Sequence, residues 1–143
     1  MMHISPYIIV IIASWLVAQG AKYIIIALKS RNFDHFRQLY LSGNMPSAHS
    51  ATIVSVATFI GFKEGFESAI FGLAITMAGI VMYDAIMVRR SVGEQGLAIQ
   101  ELIKHAKNGV LLPRAAKGHT PLEVLVGAVL GVIIGYVVFI ATK

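Results

Sequence analysis

The chain has 143 residues, of which 57% are hydrophobic and 13% charged, and this composition excludes a water-soluble globular domain. Its net charge of +5 comes from basic residues that flank apolar segments and do not alternate with aromatic ones, which argues against a nucleic-acid partner. Cysteine is absent, which excludes disulfides and thiolate metal sites. We interpret residues 1–143 as a single integral membrane domain.

Four apolar stretches run through the chain, at about 6–28, 46–63, 68–88 and 121–141. A helix of roughly 20 apolar residues crosses a hydrocarbon core about 30 Å thick. The sequence therefore predicts an all-α integral membrane bundle of four transmembrane helices. The second stretch is the shortest, so we expect its beginning at or slightly below the membrane interface, covered by protein.

Two further patterns concern the loops and the packing of the bundle. In the third loop, Ile99, Leu102, Ile103 and Ala106 recur at helical spacing, which predicts a short interfacial helix. In the last stretch, small residues recur at four-residue intervals, at Gly127, Gly131 and Gly135. Such a stripe predicts close helix packing, either within the bundle or in a homodimer through this face.

The distribution of basic residues predicts the orientation in the cell membrane. The predicted loops 29–45 and 89–118 lie on one side and hold Lys29, Arg31, Arg37, Arg89, Arg90, Lys104, Lys107, Arg114 and Lys117. The opposite side holds only Lys63 and Lys143. The positive-inside rule then places both long loops in the cytoplasm and both termini outside it.

Every predicted span contributes polar residues to the cytoplasmic end. They are Gln19 and Lys22 in the first span, Ser47 and His49 in the second, Tyr83, Asp84, Arg89 and Arg90 at the third, and His119 and Glu123 at the fourth. An ionisable group inside an apolar span costs about 2.5–3.5 kcal/mol on insertion scales, so we expect these groups to face a partner or a wet cavity. The alternative is a Lys22–Asp84 ion pair that only fixes helix packing.

Two helix beginnings carry a histidine. Pro46-Ser47-Ala48-His49 predicts an anion cradle of backbone N–H groups and the Ser47 hydroxyl, with a simple serine-capped helix as the alternative. Thr120-Pro121-Leu122-Glu123 fits a capping box, in which Glu123 only returns a bond to the Thr120 backbone; the functional alternative, compatible with the first, is that Glu123 fixes the tautomer of His119 for attack on phosphorus. For Asp84 three roles stay open: orienting Arg89 or Lys22, binding a divalent cation shared with the substrate, or pairing a charge.

Three ordered motifs, Ser42–Ala51, Tyr83-Asp84-Ala85 with Arg89-Arg90, and Gly118–Val124, resemble the signatures of a known family. This family is the divergent branch of the type 2 phosphatidic acid phosphatase family, a membrane group related to acid phosphatases and vanadium-dependent haloperoxidases. The resemblance covers nearly the whole chain.

The resemblance implies a role for each matching residue. Pro46–His49 resembles the Pro-Ser-Gly-His motif, with Ala48 in place of glycine, which makes His49 the leaving-group acid. His119 resembles the nucleophile, with Glu123 where the wider family has aspartate, and Lys22 resembles the phosphate-binding lysine. The family arginine lies six residues before the nucleophile, whereas Arg114 lies five before it, so Arg89 and Arg90 are alternatives.

The predicted activity is hydrolysis of the phosphate monoester, or pyrophosphate, of a lipid such as phosphatidylglycerophosphate, phosphatidate or a polyprenyl phosphate, through a phosphohistidine. The expected phosphate ligands are Lys22, Ser47, Arg89, Arg90 and Arg114, with support from Asp84, Gln19 and Tyr83. We expect no metal and no cofactor. Vanadate-dependent oxidation ranks below this activity, and the non-enzymatic alternative is an anion-binding, lipid-phosphate-binding or transport module. The wider family usually works at the extracytoplasmic face, whereas the loop charges here predict the cytoplasmic face.

Overall fold

The computed structural model describes residues 4–30, 45–106, 110–113, 115 and 118–143. These residues form five α-helices and one π-helical turn, and none of them lies in a strand. The elements are α1 (Pro6–Ser30), α2 (Ala48–Glu64), α3 (Ala69–Tyr83), the π turn (Asp84–Val88), α4 (Arg89–Ala106) and α5 (Pro121–Ala141). The all-helical prediction is confirmed.

Three helical segments are long and apolar enough to cross a membrane: Pro6–Leu28, Ala69–Ala106 and Pro121–Ala141. They confirm a membrane protein with several transmembrane helices. Helix α2 has 17 residues and is shorter than these three. That α2 also crosses the bilayer, as the fourth span, stays a prediction.

The third segment differs from its prediction, because α3 continues through the π turn into α4 without a break. The turn keeps the backbone bonded, with the N–H of Arg89 donating to the carbonyl of Asp84. The predicted separate, short interfacial helix is therefore the second half of the 18-residue α4. Its position on a membrane surface stays a prediction.

The segment after α4 returns along that helix toward the π turn. The Gln100 side chain donates to the carbonyl of Pro113 at 2.6 Å. Nearer the π turn, Gly96 lies against Ala115 and Gly118 lies against the backbone of Arg90. This return path brings the beginning of α5 beside the π turn.

Helix α2 is the centre of the bundle and packs against α1, α3 and α5. Its contact with α5 is backbone to backbone: a Cβ atom on any of three glycines of α5 would lie 2.5 Å from a carbonyl oxygen of α2. The pairs are Gly127 with Ser47, Gly131 with Ala51 and Gly135 with Ser55. The glycine stripe thus serves packing within the bundle, and α2 covers the face that was expected to support a homodimer.

The two ends of the bundle are built differently. At the end that contains Tyr7 and Glu64, here called the far end, Phe59 packs with Val10, Ile134 and Val138. The Tyr7 hydroxyl donates to the Glu64 carboxylate and ties α1 to the end of α2. Toward the other end the core narrows to small side chains, Ala18, Ala48 and Ala51. Small residues allow the helices that carry the polar groups to approach closely.

Candidate active site

The beginning of α5 holds the side chain of His119 by a carboxylate. Glu123 Oε2 lies 3.0 Å from His119 Nδ1 and accepts the N–H of Thr120 at 3.1 Å. The N–H of Glu123 donates in return to the Thr120 hydroxyl, which completes the capping box. Both roles considered for Glu123, the cap and the partner of His119, are therefore present together.

The hydrogen bond to Glu123 assigns the tautomer of His119. A carboxylate only accepts hydrogen bonds, so Nδ1 carries a hydrogen, and in the neutral imidazole the lone pair is on Nε2. The imidazole is 5% exposed, and the backbone N–H of His119 donates to the carbonyl of Ala85 at 3.1 Å. His119 is thus fixed through both its ring and its backbone, and Nε2 is the ring nitrogen that does not bond to Glu123.

Ser47 caps α2 and joins it to α5. Its buried hydroxyl oxygen accepts the N–H and the hydroxyl of Ser50, at 3.4 Å and 3.0 Å. Its own N–H donates to the carbonyl of Glu123 at 3.1 Å. The structure therefore contains the serine cap that was considered as the alternative to an anion cradle. Phosphate binding by this hydroxyl stays a prediction. Within the described ranges, the N–H groups of Ala48 and His49 have no protein acceptor.

His49 is the meeting point of the charged groups. Its side chain is exposed, and the charges of Arg89, Lys22 and Asp84, together with His119, act on it. Polar groups from the other three predicted spans thus lie around the imidazole of the second. We call this region, defined by Lys22, His49, Asp84, Arg89 and His119, the polar end.

Lys22 is nearly buried, with 4% of its surface exposed. Among the described residues, no carboxylate lies within ion-pair distance of its ammonium group, although the charge of Glu123 acts on it from farther away. The Lys22–Asp84 ion pair considered from the sequence is wrong, because Asp84 pairs with Arg89 at 2.6 Å. The ammonium group therefore faces the polar end without a direct counter-ion.

The two adjacent arginines have different environments. Arg89 uses Nε to bind Asp84, and its charge acts on His49. Arg90 points its Nε to Glu94 Oε1 at 3.1 Å, in a pair that is more than half exposed. The structure therefore favours Arg89 over Arg90 as a ligand for an anion near His49. Arg114 lies outside the described residues.

The two remaining predicted supporting residues occupy different positions. Gln19 is partly buried on α1, one turn before Lys22, and so lies beside the polar end. Tyr83 is exposed at the start of the π turn, which gives it no evident contact with the charged groups.

Sequence reasoning missed two backbone contributions. Ala85 acts through its carbonyl, which has no side-chain signature. Gly118 acts through the absence of a side chain, because a Cβ atom there would lie 2.4 Å from the N and Cα atoms of Arg90. A glycine directly before a candidate nucleophile was the available signal, since glycine permits close backbone approach.

Comparisons with known proteins cover nearly the whole chain. The chain matches the family model described as the divergent PAP2 family over residues 4–134, a range that includes every member of the polar end. It is 30% identical to the uncharacterized membrane protein YuiD of Bacillus subtilis (strain 168), over 86% of this chain and 87% of that relative. No solved structure shows a significant match to the chain. Because the family model matches nearly its whole length, the chain belongs to the divergent PAP2 family.

Proposed function

We propose that the chain is a membrane phosphatase that hydrolyses the phosphate monoester, or pyrophosphate, of a lipid through a phosphohistidine on His119. The observation that carries the proposal is the nearly buried ammonium group of Lys22, which has no ion-pair partner among the described residues. A buried cation is costly unless an anion accompanies it. A phosphate group bound beside His49 would supply that anion.

The histidines divide the chemistry between them. His119 Nε2 attacks phosphorus, and the P–O bond to the lipid alcohol breaks as His49 donates a proton to the leaving oxygen. Water then attacks the phosphohistidine with His49 as the base, which releases inorganic phosphate and restores both side chains. The Glu123 carboxylate supports this division, because it keeps the hydrogen of His119 on Nδ1 and stabilises the positive charge that develops on the ring.

The phosphate oxygens need donors that do not move during the reaction. Lys22, the guanidinium of Arg89 and the N–H groups of Ala48 and His49 at the beginning of α2 supply them in this proposal. The N-terminus of a helix favours an anion because its N–H groups lack partners and its dipole is positive there. Ser47 contributes by capping this turn.

A lipid substrate is favoured by the face of α2 that begins at His49. Helices α1 and α3 both pack on α2 but hardly on each other. His49 is exposed, and Ile53 and Val56 continue along the same helical face with partial exposure. An acyl or prenyl chain lying on this strip would leave its phosphate at the polar end. The proposed lipid substrate is therefore supported by the apolar strip on α2, which ends at the cationic groups of the polar end.

The proposal is tested by phosphate release from detergent-purified protein. The substrates are phosphatidylglycerophosphate, phosphatidate and a polyprenyl phosphate, beside glycerol 3-phosphate as a soluble phosphate without a tail. We expect turnover of at least one lipid, inhibition by vanadate, and an acid-labile phosphohistidine with the phosphorus on Nε2 of His119. Loss of turnover is expected for His119→Ala and not for the matched control His105→Ala, an exposed histidine of α4.

The outcomes separate the two functional classes. Turnover that persists in His119→Ala would overturn the phosphohistidine mechanism. Binding of inorganic phosphate by the wild-type protein without turnover of any lipid would replace the phosphatase with the anion-binding or transport module.

A further inference from the structure

The π turn changes which backbone groups are available beside the site. In an α-helix the N–H of Arg89 would bond to the carbonyl of Ala85, four residues before it. In the π turn this N–H bonds to Asp84 instead. The Ala85 carbonyl accepts the backbone N–H of His119 at 3.1 Å. The wider turn thus provides an attachment point for the histidine of another helix.

The residue before His119 makes a second contact with the same region. Gly118 lies so close to Arg90 that an added Cβ atom would be 2.4 Å from the Arg90 N and Cα atoms. Two successive residues, Gly118 and His119, are therefore seated on the backbone of the π turn and the first residues of α4. The position of His119 therefore depends on these two backbone contacts, here called the seat of His119, as well as on Glu123.

The turn also determines where Arg89 points. Side chains five residues apart do not face each other on an α-helix, where neighbours are three or four apart. The additional residue per turn in a π-helix brings Asp84 and Arg89 together, with Nε 2.6 Å from Oδ2. The pair uses Nε, so the two Nη groups remain for another anion.

We infer that the π turn is the positioning element of the polar end, and that Asp84 is a positioning residue that aims Arg89 at the phosphate while Ala85 and Gly118 hold His119. The inference deepens the proposed function, since it rests on phosphate binding at Lys22 and Arg89 and on attack by His119. Of the three roles left open for Asp84, the inference selects the first, the orientation of Arg89. Asp84 acts through Arg89 and does not touch the substrate.

A merely structural role for Asp84 makes a different prediction. The Asp84–Arg89 pair is half-exposed, with 38% and 52% of the two side chains accessible, and such pairs contribute little to fold stability. If the pair serves positioning, Asp84→Asn should lower the affinity for inorganic phosphate, and for vanadate, by about 10-fold, as loss of a hydrogen bond to a charged group does. The unfolding temperature in detergent should change little.

The Asp84 test uses a double-mutant cycle with Arg89→Ala. We expect Asp84→Asn and Arg89→Ala to weaken phosphate binding by similar factors, and the double variant to be no weaker than Arg89→Ala alone. Asp84→Glu, which keeps the charge, should recover most of the affinity. Additive losses, or tighter phosphate binding by Asp84→Asn, would overturn the inference, because Asp84 would then act independently of Arg89 or compete with phosphate for it.

The seat of His119 is tested by Gly118→Ala, with Gly79→Ala of α3 as the matched control. A Cβ atom at Gly79 meets nothing within 4 Å. We expect Gly118→Ala to reduce kcat at least about 10-fold because the nucleophile is displaced, with a smaller effect on KM, and Gly79→Ala to match the wild type. An unchanged kcat in Gly118→Ala would overturn this part of the inference.

The binding and turnover arms distinguish failure of the inference from failure of the proposed function. If no lipid is hydrolysed but phosphate binding depends on Asp84 only through Arg89, the inference about Asp84 holds and the phosphatase is wrong. If lipid is hydrolysed and neither Asp84→Asn nor Gly118→Ala alters KM or kcat, the proposed phosphatase holds and the inference is wrong.

Discussion

Glu123 bonds to three different parts of the site. Its carboxylate accepts from His119 Nδ1 and from the N–H of Thr120, and its backbone carbonyl accepts the N–H of Ser47. Only the bond to His119 depends on the negative charge for chemistry, because a neutral amide oxygen also serves in a capping box. The two functions of this side chain can therefore be separated by substitution.

We predict that Glu123→Gln keeps the fold and loses most of the activity. Glutamine retains the cap, so the unfolding temperature should stay close to that of the wild type. The amide oxygen can still accept from His119 Nδ1, but without the negative charge the imidazolium that forms is not stabilised, so kcat should fall on the order of 100-fold or more. The measurement is phosphate release beside thermal unfolding in detergent.

Glu123→Ala provides the comparison for this prediction, since it removes the cap as well. It should lose activity to a similar extent and also lose about 1 kcal/mol of stability, as other lost helix caps do. Wild-type kcat in Glu123→Gln would mean that Glu123 serves only the cap.

Lys22 supports a second prediction at the scale of a residue. Lys22→Met keeps most of the side-chain volume and removes a nearly buried charge that has no ion-pair partner among the described residues. We expect the variant to be as stable as the wild type or more stable, and to bind inorganic phosphate at least about 10-fold more weakly. Lower stability with unchanged phosphate binding would assign Lys22 to structure.

The candidate residues could be found from the sequence because charged groups inside apolar segments are expensive and therefore noticeable. Lys22 and Asp84 were recognised in this way, whereas His49 and His119 were recognised by their places at the beginnings of two helices. The sequence could not show which of Arg89 and Arg90 faces His49, because the two are adjacent and identical in type. Only the geometry of the helix determines the direction in which each side chain points. The carbonyl of Ala85 was missed because any residue has one.

At the scale of elements, the contact between α2 and α5 is the closest in the bundle. The three glycines of α5 let its backbone reach the carbonyl oxygens of α2 with no side chain between them. Backbones at this separation gain van der Waals contact along the whole interface, which is the main source of stability between helices in a membrane. Any added atom at these positions must separate the helices.

We predict that Gly131→Ala destabilises the protein by about 1–3 kcal/mol, the usual cost of overpacking a close contact. Its Cβ atom would lie 2.5 Å from the Ala51 carbonyl oxygen. The matched control is Gly72→Ala on α3, where a Cβ atom meets nothing within 4 Å. The measurement is thermal unfolding in detergent, and equal unfolding temperatures for the two variants would contradict the glycine contact.

The bounds of α5 could be predicted closely, because apolar length and capping residues are local properties. The predicted last stretch, 121–141, coincides with α5, and its capping box is present. The π turn could not be predicted, because the hydrogen bond that accompanies it joins Ala85 to His119, which are far apart in the sequence. The continuity of α3 with α4 followed from that turn and was missed with it.

At the scale of the whole molecule, the orientation in the membrane determines which compartment the polar end faces. The loop charges predict that the polar end faces the cytoplasm. The chain contains no cysteine, so a single introduced cysteine can report the side on which it lies. Glu67, after α2, and Lys104, in α4, are exposed positions outside the site.

We predict that a membrane-impermeant maleimide labels Glu67→Cys in intact cells and labels Lys104→Cys only after permeabilisation. Both variants should release phosphate like the wild type, which controls for correct folding. The reverse labelling pattern would place the polar end outside the cytoplasm, on the side where the wider family usually works.

The direct backbone contact between α2 and α5 has a consequence in bilayers of different thickness. A helix bundle adapts to a thinner or thicker bilayer by changing the tilt of its helices. The glycines of α5 lie directly against α2, and the bond from Ser47 to Glu123 joins the beginnings of the two helices, so we expect little sliding of α2 along α5. The two helices therefore tilt together, so His49 and His119 keep their separation while the depth of both in the bilayer changes.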